Sequence, residues 1–204
     1  MSTQILWFAT RGSGIVSLIL FSAVACLGLL AVSRAQSPVW PRFLTVGLHR
    51  NLALLSVAFV AIHVLTAVLD PFTSLGLAAA VVPLASSYRP LQVAFGVISM
   101  ELIAAVIVTS LLRERIGHRA WRTIHWAAYG AWPLAVLHTI TAGSDGTAPW
   151  MLIVTGVCVA AVGGCFLWRL TEGETNRSRL GAVTGGTADP VAVEPAWRND
   201  WRHD

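Results

Sequence analysis

Lysine is absent from this chain, and charge of either sign is scarce. The fourteen basic residues are all arginine, the acidic ones number ten, and together they make up 12% of 204 positions while 55% are hydrophobic. A soluble domain of this size carries about twice that share of charge, roughly a quarter of its residues. The shortfall and the long uncharged runs point to lipid as the main solvent. The exclusive use of arginine reads as the coding bias of a GC-rich genome. Cysteine is nearly as rare: Cys26, Cys158 and Cys165 all lie in apolar runs. There is no Cys-x-x-Cys and no Cys-x-x-Cys-His, which excludes a dithiol redox motif and covalent haem attachment. The three thiols read as small buried fillers. No basic stripe lies on a soluble stretch, so a nucleic-acid role has no support. No soluble segment is long enough for a second core, and a soluble catalytic domain would have to come from another protein.

What the chain has is apolar segments. About 20 residues cross a hydrocarbon core, and five segments reach that length: 12–32, 47–69, 91–112, 121–141 and 151–170. The fold class expected is all-α, an integral membrane bundle of about five helices, with residues 1–170 as one domain. A sixth apolar stretch, 71–87, holds Pro71, Gly76 and Pro83. It reads as an interfacial or re-entrant piece and not as a span. The tail from Thr171 to Asp204, rich in Gly, Thr and Arg, is expected to be disordered and cytoplasmic. Within it, Trp197 and Trp201 are candidates for docking on a partner or on the membrane.

The arginines orient the bundle. Arg34, Arg42 and Arg50 stand in or near the first connection, and Arg113, Arg115, Arg119 and Arg122 in the third. The second and fourth carry Asp70, Arg89 and Asp145 and are poor in positive charge. The positive-inside rule puts connections one and three in the cytoplasm. The N-terminus is then outside the cell membrane and the C-terminus, with Arg169, Arg177 and Arg179, inside; Arg11 is the one mild exception. Cleavage near Ser33-Arg34-Ala35 is the alternative for the first segment, against which its apolar run is long for a signal peptide.

Six histidines are present, and four fall in two of the spans: His49 and His63 in the second, His125 and His138 in the fourth. Ionisable residues within a membrane are costly and mark functional sites. A spacing of fourteen residues is about 21 Å along a helix and one of thirteen about 20 Å. The two helices run the same way, so His49 meets His125 in depth near the cytoplasmic side and His63 meets His138 near the outside. Each pair has what is needed for the two axial positions of a haem iron. Rotation fits less well. Fourteen residues return to within about 40° of the starting face, whereas thirteen miss it by about 140°. Pro133 lies between His125 and His138 and is expected to kink the helix and re-aim His138.

With this spacing, and with Leu48-His49-Arg50-Asn51 and Ala120-Trp121-Arg122 leading into His125-Trp126, the chain resembles the transmembrane domain of ferric reductases and NADPH oxidases. That superfamily includes the haem-binding membrane subunit of the bacterial methionine sulfoxide reductase system. The resemblance covers about Trp7 to Leu170 and implies two b haems, held through iron by His49, His63, His125 and His138. It also implies electron transfer from a cytoplasmic flavin donor. Two departures stand out. The family domain commonly has six helices, and the flavin- and nicotinamide-binding domain of the oxidases has no counterpart here. The chain therefore resembles the stand-alone members, with a flavin reductase or reduced flavin as donor and, as a further option, FMN or FAD bound at the cytoplasmic side.

Several residues have both a functional and a plain reading. Arg50, Arg122 and Arg89 are candidates to hold haem propionates, the alternative being that they only set topology. Glu101, near the middle of the third span, is read first as hydrogen-bonded between helices, and second as a proton or quinone site. Gly12, Gly14, Gly28 and Gly96 would let a porphyrin approach closely. Trp7, Trp40, Trp121 and Trp150 read as interface residues, and Trp126 and Trp132 as neighbours of the electron path. The function expected is transmembrane electron transfer to an acceptor outside, protein, ferric iron or oxygen. The competing readings are a haem-free scaffold or small transporter whose histidines bond helices together, and a one-haem quinone-linked cytochrome.

Overall fold

A computed structural model describes residues 2–33, 41–71, 73 and 75–185. It consists of helices: α1 (Ser2–Ser33), α2 (Arg42–Leu69), α3 (Leu77–Val81), α4 (Pro90–Leu111), α5 (Arg113–His125), α6 (Ala127–Ala142) and α7 (Pro149–Gly185). Arg34, Ala35, Trp40, Trp197, Trp201 and His203 lie outside the described residues, and with them most of the cleavage-like stretch. Four helices are long and apolar enough to cross a membrane, over Gln4–Ala31, Arg42–Leu69, Pro90–Leu111 and Pro149–Thr171. Large apolar side chains such as Leu65, Ile153, Val157 and Leu167 face outward, as lipid-facing helices require and a soluble domain of this size would avoid.

Proline sets several boundaries. Pro41 precedes α2, Asp70-Pro71 follows it, Pro90 begins α4 and Pro149 begins α7, where a missing N–H does no harm. Among its described residues the stretch 71–87 contains only the five-residue α3, about 8 Å of helix. It does not cross, as its prolines and glycine implied. Polar side chains within the spans turn back on their own helix: Ser13 donates to the Ala9 carbonyl (2.6 Å), Ser17 to Ser13 (2.7 Å) and Ser56 to Leu52 (2.9 Å). Such bonds satisfy a hydroxyl where no water is available.

The fourth expected span differs from the single helix that hydropathy outlined. The chain turns at Gly117 (φ 80°, ψ 158°), a conformation essentially confined to glycine. It then continues through α5 to a tightened turn at Trp126, where Trp126 N–H donates to Thr123 O (3.2 Å) and Tyr129 N–H to Trp126 O (3.0 Å). These i to i+3 bonds interrupt the α-helical pattern. The following α6 has sixteen residues, and Pro133 sits inside it without ending it. The break between the two histidines therefore lies at Trp126, directly after His125, and not at Pro133.

Two helix pairs make the bundle: α1 lies along α2 and α4 along α6. Small residues let α4 and α6 approach closely: Ser99 Oγ donates to the carbonyl of the fully buried Ala131 (2.8 Å), the packing that membrane helices favour. On the side of α1 and α6, Leu18, Val136, Met151 and Cys158 form the apolar core. Cys158 is thus the buried filler its sequence context implied. Trp132 Nε1–H donates to Ser22 Oγ (3.0 Å) and ties α6 to α1. The stretch expected to be disordered begins as helix: α7 continues to Gly185. The run Thr171–Gly185 contains no proline, and helix continues into it from the span although Gly173 and Gly181 are poor helix formers. Residues 186–204 lie outside the described residues.

Candidate functional site

His49 and His63 stand on α2, His125 ends α5, and His138 lies in the last turns of α6. Across the bundle they meet in two pairs, as the spacing implied. The ring centroids of His49 and His125 are 6.4 Å apart and those of His63 and His138 are 6.2 Å apart. All four line one elongated cavity of about 1060 Å³ between the α1–α2 and α4–α6 pairs. Its volume is at the upper end of the range for cofactor and ligand sites, about 300–1,000 Å³, and its wall is mostly apolar, with residues such as Val57, Val60, Val97 and Ile103.

The pairs are too far apart for a ring-to-ring hydrogen bond, but the distance suits a shared metal. Metal–imidazole bonds of about 2.0 Å put two opposed ring centroids about 6.3 Å apart. The interplanar angles of 54° and 83° are no obstacle, since each ring can turn about its own bond to the metal. Among the described residues no group of three or more His, Cys, Asp or Glu gathers. Two facing imidazoles are what a porphyrin iron, already held by four ring nitrogens, leaves room for. The donor set and its apolar cavity fit a b-type haem.

Three of the histidines are seated by one device. His63 Nδ1 is 2.7 Å from the Thr10 carbonyl, His49 Nδ1 is 3.0 Å from Val24 O, and His138 Nδ1 is 2.8 Å from Gln92 O. Four residues after each carbonyl the neighbouring helix carries a glycine: Gly14, Gly28 and Gly96. A Cβ on Gly14 would come within 2.9 Å of the His63 ring, one on Gly28 within 3.3 Å of His49 and one on Gly96 within 2.7 Å of His138. The missing side chain lets the ring reach a backbone carbonyl that the helix alone leaves with a spare lone pair. With Nδ1–H donating, the tautomer is fixed and Nε2 is left for a metal.

The glycines singled out in the sequence thus seat histidines. Gly12, by contrast, faces open space. The sequence reading placed the irregularity at His138, yet His138 sits in the same cradle as His49 and His63. His125 is the odd one, and its Nδ1 is buried without a hydrogen-bond partner.

The arginines proposed for propionates are all exposed; Arg50 lines the cavity, while Arg89 and Arg122 are off its wall. Arg89 donates from Nη1 to the Thr141 carbonyl (2.8 Å), closing the end of α6, and lies over the Tyr88 ring. Two arginines that sequence reasoning did not assign to the site do line it, Arg113 and Arg11. Arg11 is anchored by an ion pair with Asp145, a bond to Ser144 Oγ (3.1 Å) and the rings of Trp7 and Trp150. Connection charge alone could not separate Arg113 from Arg122, which lie on either side of the turn at Gly117. Glu101 is exposed on α4 and off the cavity wall, so it does not bond between the helices of one chain as first read. Trp132 lies away from the cavity. Trp126 is exposed under the Arg169 guanidinium.

A family model described as ferric reductase like transmembrane component matches residues 13–139, more than half of the chain and all four histidines of the cavity. This chain belongs to the ferric reductase-like transmembrane family. No curated protein and no solved structure matches it. Membership makes it a multi-pass membrane protein with a role in transmembrane electron transfer, and members of the family bind haem. In this ferric reductase-like chain the matched segment runs from the residue before Gly14 to the residue after His138.

Proposed function

We propose that this ferric reductase-like protein carries electrons across the cell membrane through two b-type haems in series. The inner site is formed by His49 and His125 and the outer site by His63 and His138. The observation that carries this reading is the pair of imidazole separations, 6.4 and 6.2 Å, within one apolar cavity. When bound, each haem supplies an iron that gains and loses one electron without change of ligands. The chain's own residues do the rest. His49, His63 and His138 present Nε2 at fixed angles because their Nδ1 atoms are bonded to backbone. The valines and isoleucine of the wall exclude water, and Arg50 and Arg113 offer positive charge at the inner end for propionates.

The arginine-rich first and third connections support a cytoplasmic inner end with the N-terminus outside. A cytoplasmic flavin reductase or reduced flavin is then the donor, with the option of FMN or FAD held at that face. The acceptor, a protein or ferric iron, lies outside. Held by a histidine from each side, His49 with His125 and His63 with His138, the haems would offer no site for substrate chemistry, and the protein would serve as an electron conduit.

Quantifying haem in the purified full-length chain tests this. About two low-spin haems per chain are expected. His63→Ala or His138→Ala should remove the outer one, and His49→Ala or His125→Ala the inner one. A chain without haem, or with one that survives all four substitutions, overturns the proposal. The His-to-carbonyl bonds that join α1 to α2 and α4 to α6 are what a haem-free scaffold also needs, so haem content discriminates where stability does not.

A further inference from the structure

The four axial positions follow a fourteen-residue repeat that fails once. Thr10 and Gly14 recur fourteen residues on as Val24 and Gly28, and the same step from Gln92 and Gly96 leads to Val106 and Ser110. The fourth cradle therefore has a serine where glycine is needed, and its carbonyl is already used: Ser110 Oγ–H donates to Val106 O (2.6 Å). Ser110 Oγ in turn accepts the indole N–H of Trp121 (3.1 Å). The Trp121 ring lies against His125 at 5.0 Å and 34°, with the Arg113 guanidinium 4.7 Å over the same indole. Stepping back fourteen from His138 gives Ile124, not a histidine. The thirteen-residue spacing and the missing cradle are thus one irregularity seen on two helices.

We propose that Ser110 and Trp121 are the positioning residues of His125, holding it by ring stacking in place of a backbone hydrogen bond, so that the inner haem has one exchangeable axial ligand and the outer haem has none. This rests on the two-haem reading. A ligating imidazole whose second nitrogen is bonded has a fixed orientation and greater basicity, and loss of such a partner weakens metal binding about 10- to 100-fold. His49, His63 and His138 have that partner and His125 does not. A small neutral ligand competing for iron should displace His125 alone. The indole slows this by holding the ring through their tilted contact, itself fixed by the bond to Ser110 and the Arg113 guanidinium over the indole.

Haem-loaded, full-length protein is reduced and titrated with carbon monoxide while the Soret band is followed. In the native chain half of the haem should shift and half should not. Trp121→Ala should raise the affinity of the responsive half about tenfold and leave the other half unresponsive. Ser110→Ala keeps the indole but removes its acceptor, and should act in the same direction by about threefold, a fraction of the second-shell effect. If Trp121→Ala fails to load haem, Ser110→Ala decides alone. Equal response of both haems, no response of either, or a Ser110→Ala affinity equal to the native one overturns the assignment. A chain that carries no haem fails the earlier reading before any titration, so the two failures are distinguishable.

Discussion

At the outer end of the cavity both histidines are seated against glycine, His63 on Gly14 and His138 on Gly96, each with Nδ1 bonded to a carbonyl. At the inner end only His49 is held this way, by Gly28, while His125 leans on Trp121. The difference shows two ways to fix an imidazole in a membrane. A glycine cradle fixes tilt, tautomer and distance together, since the ring fills the groove where a side chain would be and bonds to backbone at its floor. An aromatic stack fixes the ring plane but leaves its second nitrogen without a bond. The outer site therefore derives its order from backbone, and half of the inner site derives it from side chains.

Filling the cradles is the strongest way to break this comparison. In Gly96→Ala the new Cβ would meet Nδ1, Cε1 and Cγ of His138 at 2.7, 2.8 and 2.9 Å. Those atoms include the base of the ring, so it cannot swing aside without leaving its carbonyl. Overpacking of this kind costs about 1–3 kcal/mol, more than the ~1 kcal/mol that alanine gains over glycine in a helix. The expected outcome is loss of the outer haem, at least about tenfold in retention, with the inner haem kept. Gly14→Ala should act in the same direction, because its closest approach to His63 is 2.9 Å. Gly28→Ala has 3.3 Å of clearance to His49, so alanine's helix preference should offset the crowding and haem content should stay within about twofold. Haem-to-protein ratios of the three variants check the ranking. Equal loss in all three would mean that the cradles are incidental.

The arginines sharpen the same contrast at smaller amplitude. Arg50 and Arg113 line the inner end, whereas Arg122, in the same connection as Arg113, is off the wall. Arg50→Gln is expected to lower retention of the inner haem by up to about fivefold, the scale of one exposed ion pair at about 0.2–1 kcal/mol. Arg122→Gln should leave it unchanged. Dissociation of haem to an apoprotein acceptor at two salt concentrations would measure both. Salt should weaken the native chain more than Arg50→Gln, which keeps Arg113.

Most of the architecture was legible because lipid simplifies the code: a long apolar run has few choices other than a helix, and prolines at 41, 71, 90 and 149 punctuate the runs. The histidine pairs were legible for a related reason, as helical rise converts spacing into depth. Rotation was less legible. The angle rule flagged a misfit between His125 and His138 but could not say which residue was irregular, and Pro133 drew attention from the turn at Trp126. The cue was on the partner helix, in the step from Gly96 to Ser110, where a repeat of glycines stops. Glu101 escaped for another reason. The span around it is apolar on every side, so no periodicity told which face looks inward.

The smallest effect belongs to a bond that favours neither layer. Trp132 donates to Ser22 between the two histidine depths, on the side of α1 and α6 away from the cavity. Polar contacts between membrane helices average about 0.6 kcal/mol, because the separated helices find other partners. Ser22→Ala should therefore lower thermal stability in detergent only slightly and leave both haems at native levels. Its value is as a control on the contrast between the ends. A Gly96→Ala variant that loses the outer haem while Ser22→Ala loses neither would separate local seating from general loosening of the bundle. If Ser22→Ala also emptied the outer site selectively, haem retention there would reflect the packing of α1 on α6, and the cradle at Gly96 would cease to be the cause of the difference.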